Sequence, residues 1–186
     1  MKNLRLMLVA VLLTVAMLPA SALADQTSAD LDDLFNRLKR STNALEAAAI
    51  EGFIWKVWVH RGVAEVDQNM AHGIVAMAGG DFKGSLSYFD RVVRRDPDFA
   101  EGWNKRATVY FLMGNFDASV ADIGKTLALE PRHFGALSGM GLIYDSIGNP
   151  AAAVKVWEKA LEINPHMATI RRRIEEIRTE TMGKPI

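Results

Sequence analysis

Residues 100–133 read AEGWNKRATVYFLMGNFDASVADIGKTLALEPRH, and residues 134–167 read FGALSGMGLIYDSIGNPAAAVKVWEKALEINPHM. Laid one over the other, Ala107 falls on Gly141, Tyr110 on Tyr144, Phe116 on Pro150, Ile123 on Trp157 and Pro131 on Pro165. The preceding window, 66–99, keeps the same frame with Gly73, Ala76, Phe82, Phe89 and Pro97. A fixed period of 34 residues, with a small residue in its first half and a proline at its end, is the pattern of stacked helical hairpins. Such a stack presents a surface for holding other molecules.

The local pattern agrees with the period. Trp103, Ala107 and Tyr110 fall at i, i+4 and i+7, one stripe of a helix over Trp103–Met113. Gly114-Asn115 breaks it, and Phe116 to Leu129 restarts with Val120, Ile123 and Leu127 on one face. Gly79-Gly80-Asp81 and Gly148-Asn149-Pro150 punctuate the other two copies at the same phase. Pro150 suits the first turn of a helix, where its missing N–H costs nothing. A single hairpin cannot bury its apolar face, so three copies are expected to stack.

On these residues the chain resembles the tetratricopeptide-repeat family. The third copy fits best, with Leu137, Gly141, Tyr144, Ala153, Trp157, Ala160 and Pro165 in the family's places. The second places Ser119 and Thr126 where the family has alanine, and the first departs at Asn69, Ala76 and Val92. The resemblance implies an all-α fold, a short α-solenoid of antiparallel hairpins with units at 66–99, 100–133 and 134–167. After them, 168–181 is expected to be a capping helix, apolar at Ile170, Ile174 and Ile177 and charged elsewhere, with 182–186 as a tail. Before them, 25–65 is expected to be a helical hairpin. Asp30 to Arg40 carries Leu31, Leu34, Phe35 and Leu38, and Asn43 with Glu46 starts a second helix through Ile50 and Ile54 to Trp55 and Trp58. With Lys39 and Glu51 at small-residue positions, this hairpin reads as a degenerate repeat capping the first true unit.

The chain has 186 residues, no cysteine, a formal net charge of zero and 49% hydrophobic residues, an ordinary globular balance. Lys2 and Arg5 precede an uncharged apolar run, Leu6 to Leu18, and Ala22-Leu23-Ala24 puts small residues where a signal peptidase reads them. This predicts a secretory signal over 1–24, cut after Ala24, from a run too short to span a bilayer comfortably. The expected location is the periplasm of a two-membrane bacterium, with no stable membrane insertion after cleavage. Without cysteine there is no lipid-bearing residue, so a lipoprotein is excluded, and no disulfide helps the fold. Removing Lys2 and Arg5 leaves 20 basic against 22 acidic residues. With no basic stripe, nucleic acid is not an expected partner.

Nothing in the sequence gathers catalytic groups. His60, His72, His133 and His166 form no closely spaced metal pair, and they read as capping, loop and surface residues. Asp117, Asp122, Asp145 and Glu158 fall at surface-phase helical positions, where no desolvated cleft can split their pKa values. Gly139-x-Gly141 lies inside a helical repeat and is no phosphate loop. Met70 and Met77, with His72 nearby, read as flexible packing rather than a copper trap, because soft-ligand sites gather several sulfurs. No enzyme activity, cofactor or metal is expected; an envelope enzyme or metal carrier is the remote alternative.

The resemblance also implies where a partner sits. In the family, helix A of each unit lines a concave surface at its second, fifth, ninth, twelfth and thirteenth positions. Carried onto this chain these are Asp67, Met70, Ile74, Met77 and Ala78; then Glu101, Asn104, Thr108, Phe111 and Leu112; then Gly135, Ser138, Leu142, Asp145 and Ser146. Some relatives clamp a C-terminal carboxylate with Lys, Arg and Asn, but Met70 and Ile74 stand where the first copy would need Lys and Asn. The result is a mostly apolar strip with acidic residues at its rim, suited to an amphipathic helix or apolar extended segment of a protein in the cell envelope. Each buried Leu or Phe anchor contributes roughly 1.5–3 kcal/mol, so two or three support micromolar binding. Two arrangements stay open: a free strip, or one covered by the chain's own Trp-bearing hairpin. A homo-oligomer joined through end caps or through Trp55 and Trp58 is the alternative function.

Overall fold

The computed structural model describes residues 29–182; the predicted secretory signal and the end of the tail lie outside them. Among the described residues there are nine helices and no strand. They run α1 Ala29–Arg40, α2 Ala44–Val59, α3 Ala64–Ala78, α4 Phe82–Arg95, α5 Ala100–Leu112, α6 Phe116–Leu129, α7 Phe134–Ser146, α8 Pro150–Ile163 and α9 Ala168–Met182. The pairs α3/α4, α5/α6 and α7/α8 are the three 34-residue hairpins, and α9 closes the stack against α8.

Each hairpin turns by the same device. Gly80, Gly114 and Gly148, one period apart, take φ of 79°, 74° and 77°, a left-handed conformation that only glycine adopts without strain. The next residue, Asp81, Asn115 or Asn149, returns its backbone N–H to the helix just ended, at 2.8–2.9 Å from Ala76, Tyr110 and Tyr144 O. Its side chain then caps the following helix by accepting from Gly84, Ala118 or Ala152 N–H. One residue thus ends one helix and begins the next.

Within a hairpin the two helices approach as closely as one small residue allows. Gly73 faces the Phe89 ring and Gly141 faces the Trp157 ring, which itself is buried and donates to Ser138 O at 3.1 Å. The departures from the family pattern are compensated. Ser85 and Ser119 donate their hydroxyls at 2.8 Å to Gly73 O and Ala107 O, across the same crossings. Thr126 returns its hydroxyl to Asp122 O at 3.0 Å. Val92, larger than the expected alanine, is buried against Gly102, where an added Cβ would stand 2.6 Å from Val92 Cγ1. Arg106 of α5 reaches Asp90 of α4 at 2.8 Å, across to the preceding hairpin, and Asp122 of α6 at 2.7 Å, within its own, beneath the Trp103 ring.

The N-terminal hairpin is helical as expected, with Asn43 capping α2 by accepting from Leu45 and Glu46 N–H, but its seat differs from the expected one. It is not stacked in front of α3: its core of Leu31, Phe35, Leu38, Ile50, Ile54 and Trp58 closes on Phe134, with Ile163 and Met167 alongside. The hairpin therefore lies along the edge formed by the inter-repeat loops and the starts of α5 and α7. Polar contacts follow the same edge. Arg61 binds Asp96 at 2.6 Å, Asn164 donates to Glu51 at 3.0 Å, and Arg132, held by Glu130, reaches Asp32. Asp96, Glu130 and Asn164 are one period apart, each ending the second helix of a unit.

Replacing Gly141 tests the close crossing. Gly141→Val places its Cβ inside the Trp157 ring, so it is expected to cost about 1–3 kcal/mol or more, read as a lower urea midpoint. Gly124→Ala, at a helical glycine with no atom within 4 Å of the added Cβ, is expected to raise the midpoint, by roughly 0.5–1 kcal/mol.

Candidate partner-binding groove

The first helices of the repeats, α3, α5 and α7, place most of the expected strip on one side of the stack. Leu112 and Leu142 are 47% and 45% exposed, and Ile74, Met77, Thr108, Phe111 and Ser138 are half-buried. Asn104, Thr108, Phe111, Ser138 and Leu142 converge on one hollow of about 180 Å³ between α5 and α7. Asp145 sits farther along, half-buried and bonded to both ends of the Arg173 guanidinium at 2.9 and 3.1 Å. That guanidinium of α9 is held more firmly protonated than usual, chiefly by the Asp145 hydrogen bonds.

Three of the expected groove residues are not open surface. Met70 is only 1% exposed, enclosed with Val66, Phe89, Val92, Phe99 and Val109, because its side of α3 is the one turned into the repeat's own core. Glu101 is also 1% exposed, so it is not an acidic rim. Asn104, although it borders the hollow, is largely buried and donates to Glu101 Oε2 at 2.8 Å. The N-terminal hairpin is the physical reason for the last two: α2 covers the starts of α5 and α7.

Beneath α2 lies a cluster that the sequence reading missed. His133 is fully buried and caps α7, its Nδ1 accepting from Ala136 N–H at 3.0 Å. The proton therefore sits on Nε2, which donates to Glu101 Oε2 at 2.8 Å. Lys105 Nζ stands 3.0 Å from the other Glu101 oxygen. The imidazole stacks flat on Trp58, 4.0 Å between centroids and 9° between planes, while Trp55 meets Trp58 edge-on at 5.2 Å and carries the Lys105 ammonium on its face. Trp58 Nε1 has no partner, so this seat is held by packing and not by the indole N–H. The available signal was the period itself: His133 occupies the slot of Phe99 and Met167, where an apolar residue is the rule. His166, by contrast, ties the α8–α9 loop to Leu38 O at 3.0 Å.

The carboxylates expected at the surface divide. Asp117 is exposed and Glu158 pairs with Arg178 at 2.7 Å, but Asp122 is buried in its bidentate pair with Arg106. Such pairs are structural, and among the described residues no group of three or more His, Asp or Glu side chains is arranged to hold a metal ion. A second hollow, about 510 Å³ between α1 and α2, is bordered by Leu34, Phe53 and Val57 and by charges of both signs, away from the strip.

Comparison with known proteins now bears on this geometry. The tetratricopeptide-repeat pattern matches residues 70–121 and 105–168. The chain belongs to the tetratricopeptide-repeat family. A TPR repeat-containing protein of Rhizobium etli is 37% identical over 153 residues, covering 82% of this chain and 75% of that protein. Among solved structures, the TPR2B domain of yeast Sti1 in complex with pHsp70 superposes with a TM-score of 0.58 at 16% identity, over 63% of this chain and 99% of that one. The first TPR of Spaghetti (RPAP3) bound to the HSP90 peptide SRMEEVD gives a TM-score of 0.61 at 18% identity, over 64% and 95%. Tetratricopeptide folds of this kind serve protein–protein interaction, and the likeness to these two domains is one of fold.

In this tetratricopeptide stack the Glu101 cluster has a defined acid response. Burial pushes the Glu101 carboxyl up, but the His133 hydrogen bond and the Lys105 charge outweigh it and hold it below its ordinary 4.5. A folded value below the unfolded one contributes stability that is complete above about pH 4.5 and is lost as pH falls through the folded value. Glu101→Gln is expected to lower stability by about 1–3 kcal/mol at pH 7. Urea titrations at pH 7 and in acid check this: the gap between wild type and variant narrows in acid, where both carry a neutral group.

Proposed function

We propose that the chain is a non-enzymatic adaptor of the bacterial periplasm that binds an amphipathic or apolar segment of an envelope protein along its concave strip. The observation that carries this reading is the line of apolar side chains left uncovered on α5 and α7: Leu112 and Leu142, with Phe111 half-buried between them. Enclosing such side chains under a partner helix is the recognition mode their spacing suits. An acidic tail such as SRMEEVD, bound by the Spaghetti domain, finds no matching cations here. Lys105 is committed to Glu101, Arg106 to Asp90 and Asp122, and Arg173 to Asp145. Self-association through the tryptophans is disfavoured, because Trp58 is buried within the chain's own hairpin seat and Trp55 faces Lys105 and Gly135.

Export is supported by Lys2 and Arg5, the run from Leu6 to Leu18 and the small residues Ala22 and Ala24. Mass spectrometry of the protein recovered from the periplasmic fraction is expected to find its first residue at Asp25. Recovery only from the membrane with Met1 retained overturns that part of the reading.

The groove is tested by crosslinking in the native envelope. A Phe111→Glu, Leu142→Glu double variant is expected to fold normally by circular dichroism and to lose the crosslinked partner. Recovery of the same partner at the same yield disproves the groove.

A further inference from the structure

The second helices of the three units carry a pattern that no single window shows. Arg91 of α4, Lys125 of α6 and Lys159 of α8 each stand as the tenth residue of a 14-residue helix, spaced by one period. All three are exposed. Because the hairpins stack in the same phase, these side chains come out as one row across the outer face of the stack, on the side away from the strip on α5 and α7. In the linear sequence they lie 34 residues apart and form no basic run.

The charge of this row is not cancelled locally. Among the described residues no carboxylate pairs with Arg91, Lys125 or Lys159, and Arg91 rests on the Tyr88 ring, 5.4 Å from its centroid. The acids nearest to them in sequence are spent elsewhere, Asp90 and Asp122 on Arg106 and Glu158 on Arg178. Lys83, Arg94 and Lys155 widen the band, against two exposed carboxylates on the same helices, Asp117 and Glu162. The exposed positions between the cations are short, Ser87, Ala121, Gly124 and Ala128, so the long side chains stand above a surface rather than inside a cleft. Heads set one helix apart cannot close together on a single phosphate, but they match a flat array of many. An anionic phospholipid surface is such an array, and each Lys or Arg beside it strengthens attachment about fivefold. A nucleic-acid strand is held on aromatic platforms in a groove, and no exposed aromatic side chain lies on α4, α6 or α8.

We propose that the row of Arg91, Lys125 and Lys159, widened by Lys83, Arg94 and Lys155, is a docking surface for an anionic phospholipid membrane. The stack then lies with its second helices against the headgroups and its first helices turned away, so the strip on α5 and α7 stays open to a partner. Attachment is electrostatic and reversible, and it weakens as salt screens the phosphates. It does not depend on what the strip binds.

Co-sedimentation of the full chain with vesicles tests this, comparing phosphatidylcholine alone with equal parts of phosphatidylcholine and phosphatidylglycerol. Stronger binding to the anionic vesicles is expected, falling as sodium chloride is added. An Arg91→Gln, Lys125→Gln, Lys159→Gln variant, with helicity and Tm retained, is expected to bind them more weakly by roughly tenfold or more. A control variant, Lys39→Gln, Arg40→Gln, Lys56→Gln, loses the same charge at exposed positions of the N-terminal hairpin and is expected to bind like wild type. Residues 1–24 are common to every variant, so their own affinity for lipid cancels in the comparison. No preference for anionic vesicles, or a row variant that binds no more weakly than the control, overturns the surface. Release by inorganic phosphate beyond that by chloride at equal ionic strength also overturns it, in favour of a discrete phosphate site. Tighter binding of an oligothymidylate through the same three residues overturns it in favour of nucleic acid.

Discussion

A large ring resting on a residue without a side chain is the contact on which the architecture depends. Where Phe89 covers Gly73 and Trp157 covers Gly141, the two helices of a hairpin come close enough for serine hydroxyls and an indole N–H to bond the opposite backbone. Close approach also fixes how far the helices can tilt, because interiors are packed densely and do not deform smoothly. The second unit shows the same logic with a milder pair, Ala107 and Ile123, tightened by the Ser119 hydroxyl. The concave side follows from it: once the inner faces are consumed, Leu112 and Leu142 stay exposed, with Phe111 half-buried against Phe116 of its own hairpin.

The repeat units were legible because the constraint recurs. Each 34-residue window repeats a small residue, a left-handed glycine or its neighbour, and a proline, and the observed bounds of α6, Phe116–Leu129, are those the pattern gives. Substitutions that looked like departures were less readable. Val92 fits because Gly102, ten residues on and in the next helix, makes room, a pairing across units that no single window contains. The surface phase assigned to Asp122 failed for a related reason. Arg106 follows Trp103 and precedes Tyr110 on the side of α5 that turns toward α4 and α6, and it draws the carboxylate inward.

The candidate site was legible in part. Helix-A positions transferred from the family located Thr108, Phe111, Ser138 and Leu142 around one hollow, because those positions depend only on helical phase. Met70, Glu101 and Asn104 depend on what lies over or against them, and phase does not report that. The seat of α1 and α2 arises from contacts more than a hundred residues apart in the chain, Leu38 with His166 and Glu51 with Asn164. Local patterning does not report such pairings directly. A histidine in an apolar slot was the one residue that hinted at them, and its meaning appears only when Trp58 and Glu101 are set beside it.

The hairpin's attachment to Asp96 and Asn164, and to Glu130 through Arg132, has a consequence for the length of the array. These three residues are spaced like marks on a ruler, and the hairpin spans the graduations with Arg61 at one end and Glu51 at the other. Solenoids generally tolerate gaining or losing a unit, since each module touches only its neighbours. Here a duplicated or deleted unit would put the end marks out of reach of their fixed counterparts.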